Sequence, residues 1–535
     1  MNYGMRLRHP VFTLAAMNQT LYLDSNATSS VLPAAVAAAS ASMAQCFGNP
    51  SSSHSHGLVA KHLLDQTRAM AAIEIGAGEG ELVFTSGATE AIQTAVLSAL
   101  CAIRARRAAG QPTGELLLYG ATEHKAVPEA LAHWNQVLGT GLVLQALPVD
   151  QYGRHDVAAL ASLLPNTALL STMAANNETG TVSDLEGIAR LLATTAHRPL
   201  WLVDGVQALG KLDLQLPARG VDYAVFSGHK LHAPKGIGLL YVRHGAPFTP
   251  LVVGGGQEAG LRSGTENMPG IAALGAVLQA LQQGGTFASH ATLMALREQL
   301  EQALRSAFPA IVFNTPLAHS LPTTLNFSVP GLPSKQVLDV FDAAGLRVSA
   351  GSACSAGKAQ PSHVLVAMGL PAWRCESAVR LSIGLLSTEA QVTAACDAIA
   401  LCGQALAAVK DETEPEWTIP VLSSPPDAAA LAAGTLHWHE LDAFLNAHPA
   451  AQLVDLREVA EQQAGGGLRH GHHTAVSAPV SELPRHDALW FGVGAAPVVL
   501  VCRSGNRSQQ VAHWLHSQGH TTVRHLHGGL ALRPG

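Results

Sequence analysis

Three stretches of the chain hold side chains whose types and spacing could do chemistry. In "VVLVCRSGNRSQQVAHWL", from Val498, four apolar residues read as a buried strand, Cys502 to Ser508 as a Gly-containing loop, and Gln509 onward as a helix. The backbone N–H groups of such a loop, the N-terminus of the next helix, and Arg503 and Arg507 would favour the thiolate of Cys502. In "VFSGHKLHAPKGIG", Ser227, Gly228, His229 and Lys230 follow a strand, where a lysine in a partly apolar site can lose its proton and form a Schiff base with an aldehyde. In "SAGSACSAGKAQPS", Cys354 lies among Gly, Ser and Ala with little to pack, in a segment expected to move. Each has a plainer reading: most lysines are solvated, and many thiols are small buried hydrophobes.

Two further stretches raise the case for Lys230. "FTSGATEAIQTAVLSAL" puts Gly87, Ala88 and Thr89 at the start of a helix, where free N–H groups and the helix dipole bind phosphate. "WLVDGVQALGK" ends a strand with Asp204, three residues before Gln207. An acid there can keep a pyridinium nitrogen protonated while Gln207 reaches a phenolic oxygen, although Asp204 alone could be a turn residue and Gly87 an ordinary helix cap.

Taken together with "YLDSNATSS", "FGNPSSSHSHG", "TEHKAV", "NNETGTV", "GGGQEAGLRSGTEN" and "VSAGSACSAGKAQPSHVLVAMG", these motifs resemble the fold-type-I pyridoxal-phosphate enzymes, and more narrowly the NifS/IscS-type cysteine desulfurases of the class-V aminotransferase family, over about Leu21 to Ala408. The resemblance implies pyridoxal 5'-phosphate as cofactor, Lys230 as its Schiff-base lysine, and His124 stacked on its ring. It also implies Asn177 and Gln207 at the phenolic oxygen, Asp204 at the ring nitrogen, and Ala88, Thr89, Ser227 and His229 around the phosphate. Thr265 would reach the phosphate of a neighbouring subunit, which makes a homodimer expected. Arg380 would clamp the carboxylate of L-cysteine, Asn177 lying beside it, and Cys354 would take the substrate sulfur as a persulfide and release L-alanine. His124 and Lys230 would share the proton transfers. Thr28 is followed by Ser29 where many relatives have a second Thr, a departure that touches only local hydrogen bonding. Cys46, Cys101, Cys375, Cys396 and Cys402 read as packing residues.

"LVDLRE", "GHHTAVSAPVSEL", the Cys502 stretch and "VRHLHGGL" resemble a rhodanese domain from about Leu436 onward. The resemblance implies that Cys502 carries a persulfide, that Arg507 closes its loop, Arg503 adding positive charge, and that Asp455 and Arg457 are structural or rim residues. The histidines of "RHGHHT" lack a cysteine to complete a zinc set, so no metal is expected. "GGLALRPG" lacks the aromatic residue usual after the paired glycines, so the last helix is expected to be short.

The elements that must position these residues follow from the pattern. Apolar runs alternate with amphipathic stretches from Leu21 to about Lys410, and "ELLLYGATEHK", "TALLSTMAANNETG", "PLWLVDGVQ" and "DYAVFSGHK" each end in a polar turn. The fold class is α/β: a large mixed-sheet domain with a small α/β domain in residues 21–410, a Pro-rich linker at 411–435, and a small α/β rhodanese domain at 436–535. Residues 1–20 read as an extension or an early start site, Met17 preceding the first strand-like run. Of 535 residues, 48% are hydrophobic and 13% charged, and Lys plus Arg at 32 against Asp plus Glu at 38 gives a net charge of −6, which excludes an electrostatic nucleic-acid footprint. Seven cysteines with no C-x-x-C pair point to thiols in a reducing compartment, the cytoplasm by default, and no uninterrupted apolar run is long enough to span a bilayer.

The expectation is a relay in which Cys502 takes sulfur from Cys354 by exchange at the outer sulfur. An extended linker of that length spans up to about 80 Å, which permits contact. A thiosulfate- or persulfide-fed rhodanese acting independently, and a rhodanese serving as a docking module, are the alternatives; selenocysteine lyase activity is a further one. The final acceptor, a thiol such as glutathione, an iron-sulfur scaffold or a thiolation protein, is left open.

Overall fold

The structure is a computed structural model of the full chain, and it describes residues 20–350, 361–409, 419, 434–486, 489, 496–520 and 522–534. The N-terminal extension, nearly all of the linker and Cys354 with its flanking Gly/Ser/Ala run lie outside the described residues. The described residues form two compact units, one within residues 22–335 and 348–393, the other of residues 20–21, 336–347 and the described residues from 394 onward.

The first unit is built on a seven-stranded sheet. Its strands in chain order are β1 (Glu81–Thr85), β2 (Leu116–Gly120), β3 (Val143–Leu147), β4 (Thr167–Met173), β5 (Leu200–Asp204), β6 (Tyr223–Ser227) and β7 (Gly238–Val242). They lie in the order β1-β7-β6-β5-β4-β2-β3, with β7 antiparallel to both neighbours and every other pair parallel. All seven residues of β4 and all five of β5, β6 and β7 are buried, as expected for strands covered on both faces, which therefore read as continuous apolar runs rather than alternating ones. Helix α1 (Ala88–Ala108) covers one face with Ile92, Val96, Leu100 and Ile103, spaced so that one stripe meets Val83, Val225 and Leu240 of the sheet.

The strand directions decide where the site forms. Because β7 alone runs backwards, the C-terminal ends of β1, β2, β4, β5 and β6 share one edge, and the turns after them hold Gly87, His124, Asn177, Gln207 and Lys230. A smaller antiparallel sheet in the same unit orders β8 (Val312–Phe313), β9 (Thr324–Ser328), β10 (Ser349–Ala350) and β11 (Val379–Ser382) as β10-β11-β9-β8, and Arg380 on β11 stands opposite Asn326 and Ser349.

In the second unit five parallel strands, β12 (Thr435–Leu436), β13 (Gln452–Asp455), β14 (Val476–Ser477), β15 (Val498–Val501) and β16 (Val523–Leu526), lie in the order β12-β16-β15-β13-β14. Val498 and Leu500 pack into one core and Val499 and Val501 into another, the period-two alternation of a strand covered on both sides. The strand ends at Val501, directly before Cys502, and helix α2 (Asn506–Ser517) begins four residues after the cysteine. Among the described residues one helix, Glu389–Ala408, is long and apolar enough by length and composition to cross a bilayer. Its buried Val392, Ala395, Ile399, Cys402 and Leu406 recur at three- and four-residue spacing, which is the stripe of a core helix.

Candidate active site and persulfide loop

A cavity of about 660 Å³ opens at the shared strand edge and is lined by Ala88, Thr89, His124, Asn177, Asp204, Gln207, Ser227, His229, Lys230 and Arg380. All ten were singled out from the sequence; Thr265 was too, but it lines a separate, smaller cavity with Arg262 and Glu266. Lys230 Nζ donates to the carbonyls of Asn26 at 2.6 Å and Ala27 at 2.7 Å, both in the "NATSS" turn. The turn before α1 depends on two glycines. Gly87 has φ 155° and ψ 179°, a combination essentially confined to glycine, and open space lies where its Cβ would be. A Cβ on Gly238 would stand 2.6 Å from Gly87 Cα, so the close approach of β7 to this turn needs glycine there. The first N–H groups of α1 have no intrahelical partners and form the positive end of the helix.

Electrostatics in the cavity are set by burial. Asp204 accepts from Val206 N at 2.9 Å; burial pushes its carboxyl up to about 6, against the pull of that bond and of Lys230. His229 is pushed down to about 4 by burial and by Lys230 and Lys235, and its Nδ1 lies 3.1 Å from Thr28 Oγ1. His124 is lowered by burial, then by Lys230, His363 and Lys125, so its imidazole is neutral near pH 7. Its Nδ1 accepts from Ala126 N at 3.2 Å, which leaves the proton of the neutral ring on Nε2.

Arg380 is almost fully buried. It donates to Asn177 O at 2.9 Å and Asp24 Oδ1 at 2.6 Å, and its Nε has no partner among the described residues. The guanidinium is thus pre-oriented but part of its charge already faces Asp24.

Four groups were not found from the sequence. Glu178 lines the cavity, is buried, and accepts from Ser362 Oγ at 2.5 Å; burial raises its carboxyl pKa. His363 also lines it, and its Nε2 lies 3.0 Å from Glu123 O. A carbonyl only accepts, so this nitrogen carries the proton and the basic nitrogen of a neutral ring is Nδ1, the same tautomer as His124. Glu123 is fully buried, and burial, then Asp204 nearby, holds its carboxyl well above the usual carboxylate range against the pull of the Met173 backbone. Lys211 donates to Gln207 Oε1 at 3.2 Å. All four sit in stretches already quoted, Glu178 in "NNETGTV", His363 in "PSHVL", Glu123 in "TEHKAV" and Lys211 at the end of "WLVDGVQALGK", but nothing in their spacing singled them out.

In the second unit Cys502 is fully buried, and its sulfur accepts from the backbone N–H of Gly505 at 3.2 Å and of Ser508 at 3.4 Å. Gly505 supplies the turn at φ 86° and caps α2; Ser504 and Asn506 are exposed beside it. The arginines are differently engaged from the sequence expectation. Arg507 forms a bidentate pair with buried Glu461 at 2.6 and 2.7 Å, and Arg503 pairs with Asp339 at 3.0 Å and Asp342 at 3.5 Å. Their charges are therefore largely compensated, and the donors nearest the sulfur are backbone. Asp455 and Arg457 form a buried pair at 2.7 Å. The "GGLALRPG" stretch gives one 3-10 turn, Gly529–Leu532, bound to the loop by Leu530 N to Cys502 O and Ala531 N to Arg503 O, both 2.9 Å. Cys375 and Cys402 are buried, burial lifting Cys402 to about 12, while Cys46, Cys101 and Cys396 are partly exposed. Among the described residues no group of three or more His, Cys, Asp or Glu is arranged to hold a metal ion.

The donor set of the cavity fits a phosphorylated pyridine aldehyde. A helix N-terminus behind a side-chain-free turn suits the phosphate, a buried carboxyl with one oxygen on Val206 suits a pyridinium nitrogen, and a lysine whose amine donates to two carbonyls suits the aldehyde. Comparison with known proteins agrees. The class-V aminotransferase family model matches residues 21–394 and the rhodanese-like domain model residues 437–532. A cysteine desulfurase of Cereibacter sphaeroides is 39% identical over 379 residues, covering 70% of this chain and 93% of the relative. The cysteine desulfurase NifS of Azotobacter vinelandii is 37% identical over 376 residues, covering 70% and 90%. A solved NifS-like protein superposes with TM-score 0.64 at 32% identity, covering 73% of this chain and all of that one. SspA, solved in complex with cysteine, gives 0.59 at 29% identity over 69% of this chain and 99% of its own. The chain belongs to the class-V aminotransferase family, among its pyridoxal-phosphate-dependent cysteine desulfurases, and bears a rhodanese-like domain C-terminal to that fold.

Proposed function

We propose that this chain takes sulfur from L-cysteine onto Cys354, releases L-alanine, and relays the sulfur to Cys502 and from there to a thiol or protein acceptor. The observation that carries the reading is the convergence of ten sequence-selected residues on one cavity around Lys230, in a chain that also bears a backbone-lined thiol loop. When bound, pyridoxal phosphate supplies the electron sink for the electrons released at the substrate Cα. Ala88, Thr89, Ser227 and His229 hold its phosphate, Asp204 its ring nitrogen, and Asn177 and Gln207 its phenolic oxygen. Arg380 orients the substrate carboxylate. His124, with its proton on Nε2, gives a proton; Lys230 and the Nδ1 of His363 accept one.

In desulfuration the substrate Cβ–S bond breaks, an S–S bond to Cys354 forms, and the carbon that lost sulfur takes up a proton. In the relay the Cys502 thiolate attacks the outer sulfur of the Cys354 persulfide; that S–S bond breaks, Cys354 leaves as thiolate, and the persulfide is on Cys502. The two N–H groups on the Cys502 sulfur support its anionic form. The reading includes a cytoplasmic homodimer with Thr265 serving the partner's site, and domain limits of 21–410, 411–435 and 436–535.

Peptide mass spectrometry after a brief pulse of sulfur-labelled cysteine, with thiols blocked at once, tests it. Label is expected on Cys354 first and Cys502 second. Cys354→Ser abolishes both, and Cys502→Ser leaves Cys354 loaded. Label that reaches Cys354 and never Cys502 overturns the relay.

A further inference from the structure

Gln207 sits in a short chain of hydrogen bonds whose donors and acceptors are fixed by chemistry. Lys211 Nζ is 3.2 Å from Gln207 Oε1, Gln207 Nε2 is 3.1 Å from Asn26 O, and Lys230 Nζ is 2.6 Å from the same carbonyl. An ammonium only donates, so it must face the amide oxygen; a carbonyl only accepts, so it must face the amide nitrogen. Both neighbours therefore select the same one of the two amide orientations, the one that presents Nε2 at the Asn26 side. Gln207 is buried and lines the cavity; Lys211 does not line it and stands one layer behind. Burial and the charge of Lys230 lower Lys211 to about 8, and the other titratable group facing it is His232.

We propose that Lys211 is a positioning residue of the cofactor site, holding the Gln207 amide so that its N–H, rather than its carbonyl, meets the phenolic oxygen. The proposal rests on the reading of Lys230 and Gln207 given above. Without Lys211 the amide keeps only the Asn26 bond, and a flip would set carbonyl oxygen against phenolic oxygen, which repels. A donor on the phenolic oxygen weakens that oxygen's hold on the proton it shares with the lysine nitrogen of the chromophore. Removing the donor strengthens the hold, so the chromophore should keep its proton to higher pH.

The test is an absorbance titration of the visible chromophore in the purified full-length holoenzyme. Lys211→Met should raise the midpoint by about half to one pH unit, the equivalent of one hydrogen bond. On a Gln207→Leu background the same substitution should add less than it does alone, because the two act through one group. Lys211→Gln keeps an N–H donor on a side chain one atom shorter but drops the charge, and serves also where the methionine variant does not fold; its midpoint should stay nearer that of the unsubstituted protein than that of Lys211→Met. An unmoved midpoint in Lys211→Met, full additivity with Gln207→Leu, or a Lys211→Gln midpoint as high as that of Lys211→Met overturns the proposal. A visible chromophore that survives Lys230→Ala would sink the cofactor reading itself, an outcome distinct from all three.

Discussion

The Lys230 cavity and the Cys502 loop solve the same problem, holding a nucleophile in a reactive form, with opposite materials. Around Lys230 the groups are side chains drawn from positions between Asn26 and Arg380, and each depends on the strand end or turn that delivers it. Around Cys502 the donors are main-chain N–H groups within six residues of the sulfur, and the nearby side-chain charges are spent on carboxylates. A site of the first kind should be sensitive to which side chain is present. A site of the second kind should tolerate side-chain loss and fail when the backbone is displaced.

The largest effect expected from that contrast is at Lys230. Lys230→Ala removes the one amine in contact with the Asn26 and Ala27 carbonyls, and alanine formation from L-cysteine should fall below detection while Cys502 keeps its reactivity toward iodoacetamide. Turnover that survives would dissolve the idea of a side-chain-built site. Next comes Glu461→Gln. It leaves the Arg507 guanidinium partly buried without its bidentate carboxylate, and breaking such a pair typically costs about 3 to 5 kcal/mol. Hydrogen exchange in peptides covering Val498 to Ser517 should show the loss, with alanine formation unchanged. A smaller loss, about 1 to 3 kcal/mol, is expected for Gly529→Ala. Gly529 lies at φ 53°, and its added Cβ would stand 2.2 Å from Cys502 O and 2.6 Å from Gly505 N, so the loop backbone itself must move. Thiol reactivity at Cys502 should change with it; a stable variant with unaltered reactivity would show that the cradle does not depend on that close packing.

How much of this was legible in the sequence differs between the two regions for a physical reason. The Cys502 loop is contiguous, so strand, cysteine and glycine could be read in order, and β15 and Gly505 lie where "VVLVCRSGNRS" puts them; α2 begins at Asn506, three residues before the Gln509 read from the sequence, because the turn at Gly505 already caps it. Its ion pairs could not be read, because Arg507 meets Glu461 across 46 positions and nothing local in "EVAEQQAG" marks that acid. The Lys230 cavity was legible only through several turns taken together, each ending an apolar run, and the parallel sheet brings them to one edge. What escaped were residues that act at one remove or return from distant segments: Lys211 behind Gln207, His363 on the Glu123 carbonyl, and Glu123 itself. Their types and neighbours are ordinary, and only three-dimensional placement distinguishes them. Thr265 lies away from the cavity within this chain, while Cys354 lies outside the described residues.

The smallest expected effect discriminates most finely. Ser508 Oγ lies 3.5 Å from the Cys502 sulfur and 3.0 Å from Gly505 O. A hydroxyl has one proton, and with that proton on the Gly505 carbonyl it has none for a thiolate; at most it accepts from the neutral thiol. Ser508→Ala therefore removes one ordinary hydrogen bond, about 0.5 to 1.5 kcal/mol of stability, but neither of the N–H groups that face the sulfur. The pH dependence of Cys502 alkylation should be superimposable on that of the unsubstituted protein. A clear fall in its thiolate fraction would mean that the hydroxyl turns toward the sulfur once the proton has left, and the distinction between a backbone-built and a side-chain-built site would have to be withdrawn for this loop.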